Sequence, residues 1–372
     1  MSEHRYLTAE RIMIRDTARE FTMNEVLPVA NVLDPVQGEI PLTLRDKLAD
    51  MGYFGIRIPE QYGGSGLGVF EYCLVAEQLA RGWMSVASII ARGNGTMTMS
   101  LLDEAQRERL LPRVVRGEYL GAMSLSEPDT GSDLASISCR AERDGDDWVI
   151  TGNKYWCTFA DGADYILLFA RTAAPPDPQR RHVGISAFLL DKPRGSLPLG
   201  VRGAEIPKIG YFGWKTWELA FDHLRVPTSA LIGEAGRAFY ALARGLDEAR
   251  AHTAARSIGL AQGALEDALA YAQERRQFGR PIAEFQDLRF KLARMATDIE
   301  AARQLLYYVC DRIDCGERCD KEASMVKYFA SEMSERVTSD ALQILGGAGY
   351  TKLYAVERHW RDARLTDRKS VV

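Results

Sequence analysis

The sequence predicts an α+β protein: a helical N-terminal domain, a central antiparallel β domain and a C-terminal helical domain. Residues 1–118 carry apolar side chains at three- and four-residue intervals, which is typical of helices. Residues 119–232 change to short segments rich in β-branched and aromatic residues, which favours strands. Residues 233–372 return to helical spacing. We therefore expect three domains with these boundaries.

The N-terminal domain begins with a long amphipathic pattern, "LTAERIMIRDTAREFTMNEVLPVA" (7–30). Thr8 is a weak helix-start signal because a hydroxyl can cap the first turn. The stretch "YGGSGLG" (62–68) invites comparison with a dinucleotide-binding loop, but no βαβ unit surrounds it. A tight turn that precedes another helix is the better interpretation, since glycine tolerates positive φ.

Four strands are predicted in the central domain. They are "DWVITGNKYWCTFA" (147–160), "DYILLFART" (164–172), "GISAFLLDK" (184–192) and "TWELAFDHLRVP" (216–227). Turn signals such as "RDGDD" and "AAPPDPQRR" separate them. No helix-length crossover lies between them, so we expect mainly antiparallel pairing.

The C-terminal domain contains a continuous apolar seam. Its members step by alternating fours and threes: Leu288, Leu292, Met295, Ile299, Ala302, Leu306 and Val309. This pattern predicts a long helix of an antiparallel bundle. The segment "MVKYFASEMSERVTSDALQIL" (325–345) predicts a second one, with breaks at "GRP" (279–281) and "CGERCD" (315–320).

Composition excludes several classes of protein. A net charge of −4 gives no basic surface for nucleic acid, and no apolar run reaches the roughly 18–20 residues that span a bilayer. The charged start "MSEHRYLTAERIMIRD" does not resemble a secretory signal, so we expect a cytoplasmic location. Six cysteines in 372 residues argue against a disulfide scaffold. Cys310, Cys315 and Cys319 lack a nearby histidine, so ordinary helix and loop roles are favoured over zinc.

Two further stretches are ambiguous when taken alone. "MSLSEPDTGSDLAS" (123–136) combines hydroxyl side chains, an acidic pair and a glycine directly before the β segments. Such a loop can present N–H groups and hydroxyls to a polar ring system or a phosphate, but a plain surface turn explains it equally well. "LGGAGY" (345–350) ends a predicted helix and could simply cap it.

Together with their neighbours, these stretches resemble the acyl-CoA dehydrogenase family. Six segments match its recurring motifs in order and spacing: "LSEPDTGSD", "GNKYWCT", "FDHLRVP", "ERRQFGRPIAEFQ", "DALQILGGAGY" and "VERHWRDAR". The resemblance covers about residues 8–365. It implies the three-domain fold described above, with a four-helix bundle at the C-terminal end. It also implies an acyl-CoA substrate, an electron-transfer flavoprotein as partner, and a homo-oligomer, either a tetramer or a dimer.

The resemblance implies that FAD is the cofactor and that two groups of residues hold it. The isoalloxazine positions of the family correspond here to Met123, Leu125, Ser126, Ser132, Trp156 and Thr158. The diphosphate and adenosine positions correspond to Arg275, Phe278, Gln343, Gly346 and Gly347, which serve the FAD of a neighbouring subunit in the family. The residue types are compatible, since hydroxyls and N–H groups can bond the flavin edge while an indole packs against its face.

The substrate side is implied by three positions of the family pattern. Ser132 also lines the CoA channel, and Asp247 and Arg250 of "LDEAR" lie on the helix beside the thioester. A competing interpretation is that Arg250 pairs with an acidic residue at helical spacing. Arg92 interrupts an otherwise apolar helix that lines the acyl pocket in the family. It either meets a polar or anionic group of the acyl chain, or it points to solvent or pairs within the protein.

The family's catalytic carboxylate has two known positions, and neither holds a carboxylate here. One falls on Ser370, within the final stretch "DRKSVV", and the other on Ala249. Glu248 is one residue away, but one residue rotates a helical side chain by about 100°, so it should face elsewhere.

Three explanations follow for the missing carboxylate. The chain is altered after about residue 366 and lacks the last helix of the family. Alternatively, the second subunit of a hetero-oligomer supplies the base. In the third explanation, the chain is a lyase-type or acyl-CoA-binding member that needs no base.

Overall fold

The computed structural model describes residues 5–367, apart from the side chains of Thr96 and Met97. The N-terminal helices are α1 (Ala9–Phe21), α2 (Leu27–Leu33), α3 (Leu42–Asp50), α4 (Val69–Gly82), α5 (Met84–Ile89), α6 (Ala91–Asn94), α7 (Thr96–Leu101) and α8 (Glu104–Val115). Thr8 caps α1, since its Oγ1 accepts a hydrogen bond from the Arg11 amide at 3.2 Å. Every residue of α4 is buried, so this helix forms the centre of the N-terminal domain.

The segment "YGGSGLG" is a turn, as predicted. Gly63 and Gly66 adopt φ values of +86° and +61°, which only glycine tolerates at little cost. The helix α4 begins directly after it.

The central domain is an eight-stranded sheet. Its strands are β1 (Gly121–Ser124), β2 (Arg140–Asp144), β3 (Asp147–Thr158), β4 (Tyr165–Arg171), β5 (Ile185–Asp191), β6 (Val201–Glu205), β7 (Thr216–Pro227) and β8 (Leu231–Ile232). The order is β6-β7-β3-β2-β4-β5-β8, with β1 beside β4. Antiparallel pairs predominate, as predicted, but β1 pairs in parallel with β4, and β2 also touches β4 in parallel. The prediction missed β1, β2, β6 and β8 because each has five residues or fewer.

The C-terminal domain contains α9 (Ala238–Arg244), α10 (Leu246–Glu274), α11 (Gln286–Asp314), α12 (Asp320–Leu345) and α13 (Val356–Thr366). A hairpin of two-residue strands, β9 (Arg276–Gln277) and β10 (Arg280–Pro281), joins α10 to α11. The helices α10 to α13 pack as a four-helix bundle. Of the predicted seam of α11, Met295, Ile299, Ala302, Leu306 and Val309 are buried. Leu288 and Leu292 are half-buried and pack against the core.

The long helix α10 also packs tightly against α4 of the N-terminal domain. A Cβ atom added to Gly259 would lie 2.1 Å from the carbonyl oxygen of Glu77, so only glycine permits this close crossing. The predicted domain boundaries stay a proposal: residue 118 lies between α8 and β1, and residue 232 ends β8. Within residues 5–367, no helix combines the length and the hydrophobicity needed to cross a bilayer.

Buried charges at α13 join all three domains. Arg361 donates to Asp34 of the N-terminal domain at 2.5 Å, and the Tyr211 amide of the β domain donates to the Asp362 carboxylate at 2.5 Å. Burial raises the pKa of Asp362 to about 7, and the neighbouring Asp34 adds to this effect, while Arg361 and Arg358 oppose it. The Asp362 carboxyl is therefore protonated much more readily in the folded protein than in the unfolded chain.

Substitution of Asp362 by Asn should flatten the pH dependence of stability. The pKa of Asp362 is 3.8 in the unfolded chain and about 7 in the folded protein. Between these two pH values, the folded protein binds a proton that the unfolded chain does not. Its contribution to the free energy of unfolding is therefore present at low pH and falls as the pH rises through this range. Denaturant unfolding of both proteins at intervals from pH 4 to pH 8 measures the two slopes.

The matched control is Asp46→Asn, which changes an exposed carboxylate of α3. It should keep the wild-type pH dependence. An Asp362→Asn protein with the wild-type slope would show that Asp362 does not titrate in this range.

Candidate active site

A buried ion pair holds the loop that follows β1. The backbones of Glu127 and Thr130 bond each other at 2.8 and 3.1 Å and close a tight turn. The Glu127 carboxylate accepts hydrogen bonds from the amides of Ser138 at 2.7 Å and Cys139 at 2.9 Å. It also accepts one from the Lys154 ammonium of β3 at 2.9 Å. The side chains of Lys154 and Glu127 are 0% and 4% exposed, so this pair is enclosed by protein.

These contacts keep Glu127 ionised. Burial alone would raise the pKa of its carboxyl, but Lys154 and the amides of Ser138 and Cys139 bring that pKa below its ordinary value. Lys154 also donates to the carbonyl oxygen of Leu125 at 2.9 Å. The predicted loop is therefore attached to β3 through one charged side chain.

Trp156 is turned out of the sheet by a β-bulge. Between Lys154 and Cys157 the register shifts, so that Tyr155 and Trp156 together lie opposite a single residue of β7. Trp156 adopts a φ of +63°, which is costly for a bulky residue, and it is 54% exposed. The Tyr155 amide donates to the carbonyl oxygen of Ser126 at 2.8 Å. The exposed indole consequently lies next to the loop that carries Leu125 and Ser126.

Thr158 ends β3 beside the same loop. Its Oγ1 lies 3.0 Å from Oγ1 of Thr216 in β7, and its carbonyl oxygen lies 3.5 Å from Nη2 of Arg92. The structure thus brings together the predicted residues of β1, the loop and β3, namely Met123, Leu125, Ser126, Trp156 and Thr158. Ser132 is exposed farther along the loop.

This arrangement fits an isoalloxazine ring. The half-exposed indole offers a flat aromatic face, and the hydroxyls of Ser126 and Thr158 offer polar partners for a ring edge. A tryptophan that is exposed on a strained backbone is an unfavourable arrangement for packing alone. A planar ligand that covers the indole would explain why the strained bulge is present.

The second predicted group lies in the C-terminal domain. Arg275 follows the last residue of α10, and Phe278 and Gly279 form the two-residue turn of the β9–β10 hairpin. Their φ values of +50° and +82° are those of a type I′ turn, and Phe278 is 93% exposed. Gln343, Gly346 and Gly347 are exposed at the end of α12, where Gly346 has a φ of +58°. Within one chain this group forms its own surface.

On the substrate side, the first turn of α10 contains an ion pair. Arg250 donates to Asp247 at 3.0 Å, and both side chains are about three-quarters buried. This is the intrahelical pairing that the sequence offered as an alternative to substrate contact. Burial raises the pKa of Asp247, and Arg250 opposes that shift. A role of this pair in CoA binding stays a prediction.

Arg57 links the start of α10 to the helix that carries Arg92. Arg57 donates to Glu248 at 3.0 Å, and its amide donates to the side chain of Asn94, also at 3.0 Å. Arg92, two residues before Asn94, reaches Thr158 on the other side. The helix α6 therefore lies between the predicted flavin residues and the first turn of α10.

Neither predicted base position supplies a carboxylate within the described part of the chain. Ala249 is exposed on α10, and Ser370 lies outside the described residues. Glu248 binds Arg57, in keeping with the rotation expected from its place in the helix. The described residues also contain no group of three or more side chains that could hold a metal ion.

Four residues of the site were not predicted: Glu127, Lys154, Arg57 and Thr216. Lys154 lies inside the motif "GNKYWCT" and Glu127 inside "LSEPDTGSD". One charged residue in each of two motifs was therefore the sequence signal that could have identified the ion pair. Arg57 lies in no motif, and its role depends on a contact with a residue 191 positions away.

Models of three domains of one protein family match most of the chain. Residues 8–118, 122–224 and 236–367 match the acyl-CoA dehydrogenase N-terminal, middle and C-terminal domains. An acyl-CoA dehydrogenase of Bacillus subtilis (strain 168) is 40% identical over 364 residues, which cover 97% of this chain and 94% of the relative.

A second relative is subunit CarC of the caffeyl-CoA reductase-Etf complex of Acetobacterium woodii. It is 37% identical over 367 residues, with 97% of this chain and 94% of the relative covered. Among solved structures, butyryl-CoA dehydrogenase from Megasphaera elsdenii superposes with a TM-score of 0.90 at 33% identity. That match covers 100% of this chain and 96% of the other.

Substitution of Glu127 by Gln should destabilise the protein by about 3 kcal/mol, because it leaves the buried ammonium of Lys154 without a counter-ion. Thermal and denaturant unfolding at pH 7 measure the change. The double variant Glu127→Gln, Lys154→Met should recover part of the loss, since it removes both charges.

The exposed pair of β2 provides the control. Glu142→Gln, which breaks a solvent-exposed contact with Arg140, should change stability by less than about 0.5 kcal/mol. Because the folded pKa of Glu127 is lowered, its contribution is present above the ordinary value of 4.5 and lost as the pH falls through the folded value. A difference between wild type and Glu127→Gln that did not shrink in acid would contradict this role.

Proposed function

Because the chain belongs to the acyl-CoA dehydrogenase family, we propose that it catalyses FAD-dependent α,β-dehydrogenation of an acyl-CoA thioester and passes the electrons to an electron-transfer flavoprotein. Bound FAD supplies the hydride acceptor for the β-hydrogen. The relative that is a subunit of an Etf complex supports the electron-transfer partner. The observation that carries the assignment is the exposed indole of Trp156 beside the loop of Leu125 and Ser126.

Each residue of this edge has a defined role in the proposal. Trp156 packs against the flavin, and Ser126 and Thr158 hydrogen-bond its polar edge. The Glu127–Lys154 pair acts indirectly, because it holds the loop against β3. On the other side of α6, Asp247 and Arg250 contact the CoA part of the substrate, and Ser132 lies along its channel.

We further propose that a second copy of the chain completes the FAD site, as a dimer or a tetramer. The start of α10 lies by the proposed active site, through Glu248 and Arg57, whereas Arg275 follows the opposite end of the helix. At 1.5 Å per residue, the two ends of α10 are on the order of 40 Å apart. Arg275 is therefore too far from the proposed active site of its own chain to contact an FAD at that end. The exposed Phe278, Tyr350 and Leu353, at 93%, 86% and 84%, offer apolar surface for the partner copy.

The proposal also includes a cytoplasmic location and a role in fatty acid metabolism. All six cysteines are free and five of them are buried, which is typical of a reducing compartment. The oxidation of acyl-CoA thioesters is the step that such metabolism requires.

Substitution of Arg275 by Gln should weaken FAD binding by about 10- to 100-fold, because it removes a charged donor to the diphosphate. Equilibrium titration of FAD against the apoprotein measures this change. The neighbouring Arg276→Gln, which changes another exposed arginine at the start of β9, should bind FAD as wild type does. Equal losses in both variants would indicate a general charge effect rather than a site at Arg275.

Anaerobic flavin bleaching tests the function itself. We expect acyl-CoA to reduce the flavin of the FAD-loaded protein, and added electron-transfer flavoprotein to reoxidise it. Bleaching only after a second subunit is added would favour a hetero-oligomer that supplies the base. Thioester binding without bleaching in either case would contradict the dehydrogenase assignment.

The variant Ala249→Glu tests the position of the thioester. A carboxylate at this position should raise the bleaching rate by about 100-fold or more, if the substrate α-carbon lies beside the first turn of α10. Ala249→Gln is the matched control, since it has the same shape but cannot accept the proton. Equal rates in the two variants would indicate that residue 249 does not face the α-carbon.

A further inference from the structure

Arg92 has an unusual environment for an arginine inside a protein. Its Nε is buried and has no hydrogen-bond partner, and its nearest polar contact is the Thr158 carbonyl oxygen at 3.5 Å from Nη2. The guanidinium carbon lies 5.3 Å from the centre of the Trp214 ring. Among the described residues, no carboxylate lies within 4.0 Å of the guanidinium. Within residues 5–367, this half-buried charge is therefore offset by an aromatic face and one long contact, with no carboxylate beside it.

Buried arginines at the domain contacts behave differently. Arg45 binds Asp164 at 2.9 Å, and Arg303 binds Glu77 at 2.9 Å. Arg361 binds Asp34 at 2.5 Å. Each of these guanidinium groups is neutralised by a carboxylate of another element, as expected when a charge leaves water. Arg92 lacks such a partner although it lies at the same kind of contact, between α6 and β3.

The side chain of Arg92 borders a cavity between the N-terminal helices and the sheet. The cavity is also lined by Thr98, Tyr119 and Tyr165, each of which carries a hydroxyl group. The rest of its wall is apolar and includes Met99, Leu110 and Leu189. Because Arg92 also reaches Thr158, this cavity begins at the proposed flavin edge. A chain that leaves the flavin in this direction would meet one cation, three hydroxyl-bearing side chains and otherwise apolar groups.

We propose that Arg92 binds a carboxylate carried by the acyl group, so that the substrate is the CoA thioester of a dicarboxylic acid. This inference rests on the proposed function and narrows its substrate class. A carboxylate supplies the counter-ion that the described part of the chain does not, and it can accept two parallel hydrogen bonds from the guanidinium. A plain alkyl chain would shield the half-buried guanidinium from water without supplying a counter-ion, which is unfavourable.

The test compares thioesters that differ only in the distal group. Succinyl-, glutaryl- and adipyl-CoA are paired with butyryl-, pentanoyl- and hexanoyl-CoA, and calorimetry measures binding to the FAD-loaded protein. In at least one pair, the dicarboxylic thioester should bind the wild type about 10-fold or more tightly than its alkyl partner. Arg92→Met should weaken that dicarboxylic thioester by about 100-fold and change its alkyl partner by less than about threefold.

Arg92→Lys retains a charge without the planar fork and should give an intermediate affinity for the dicarboxylic thioester. Thermal unfolding and flavin content verify that both variants fold, and Arg92→Gln replaces Arg92→Met if the latter does not. A wild type that prefers alkyl thioesters in all three pairs would overturn the inference. Equal weakening of both members of a pair by Arg92→Met would do the same, because it would indicate a role in holding Thr158.

Failure of the proposed function would look different. Arg92-dependent binding of a dicarboxylic thioester, with no thioester able to bleach the flavin, would support the ligand class and reject dehydrogenation. Bleaching by alkyl thioesters at rates and affinities independent of residue 92 would retain dehydrogenation and reject the role of Arg92.

Discussion

The enclosed ion pair between Glu127 and Lys154 is the contact on which the rest of the site depends. It joins the loop after β1 to the middle of β3, and the same ammonium fixes the carbonyl of Leu125. Since the pair is shielded from water, neither charge can be removed singly without a large cost. With the loop held in this way, the bulge at Trp156 faces Ser126, and the exposed indole has a defined neighbour.

The helix α10 connects distant parts of the molecule. It packs on α4 and on all three other helices of the bundle. Its first turn binds Arg57 of the N-terminal domain through Glu248, and its last turn precedes Arg275 and the hairpin. One helix therefore connects the proposed substrate site with the surface that we propose for the cofactor of another copy.

Charge pairing at the domain contacts follows one rule with an informative exception. Arg45, Arg361 and Arg57 each pair with a carboxylate on an element distant in sequence, which fixes the relative positions of the helices and the sheet. Arg92 lies in similar surroundings without such a partner. The contrast makes this residue a candidate for recognising a ligand rather than for holding the fold.

Features that depend on neighbours in sequence were predictable. The order of helical and β segments, the seam of α11, the cap at Thr8 and the Asp247–Arg250 alternative all follow from local spacing. The recurring motifs also indicated residues that the structure places together at the proposed flavin edge, because the residue types and their order can be read from the sequence.

Only the tertiary structure decided how these residues meet. The positive φ of Trp156 follows from the register of β3 against β7. It could not be predicted from the sequence, because the residue at this position is not a glycine. Glu127 and Lys154 are 27 positions apart, and Arg57 and Glu248 are 191 apart. The sequence does not show which charged residues will pair. Pairing depends on which surfaces the packed helices and sheet bring together and shield from water.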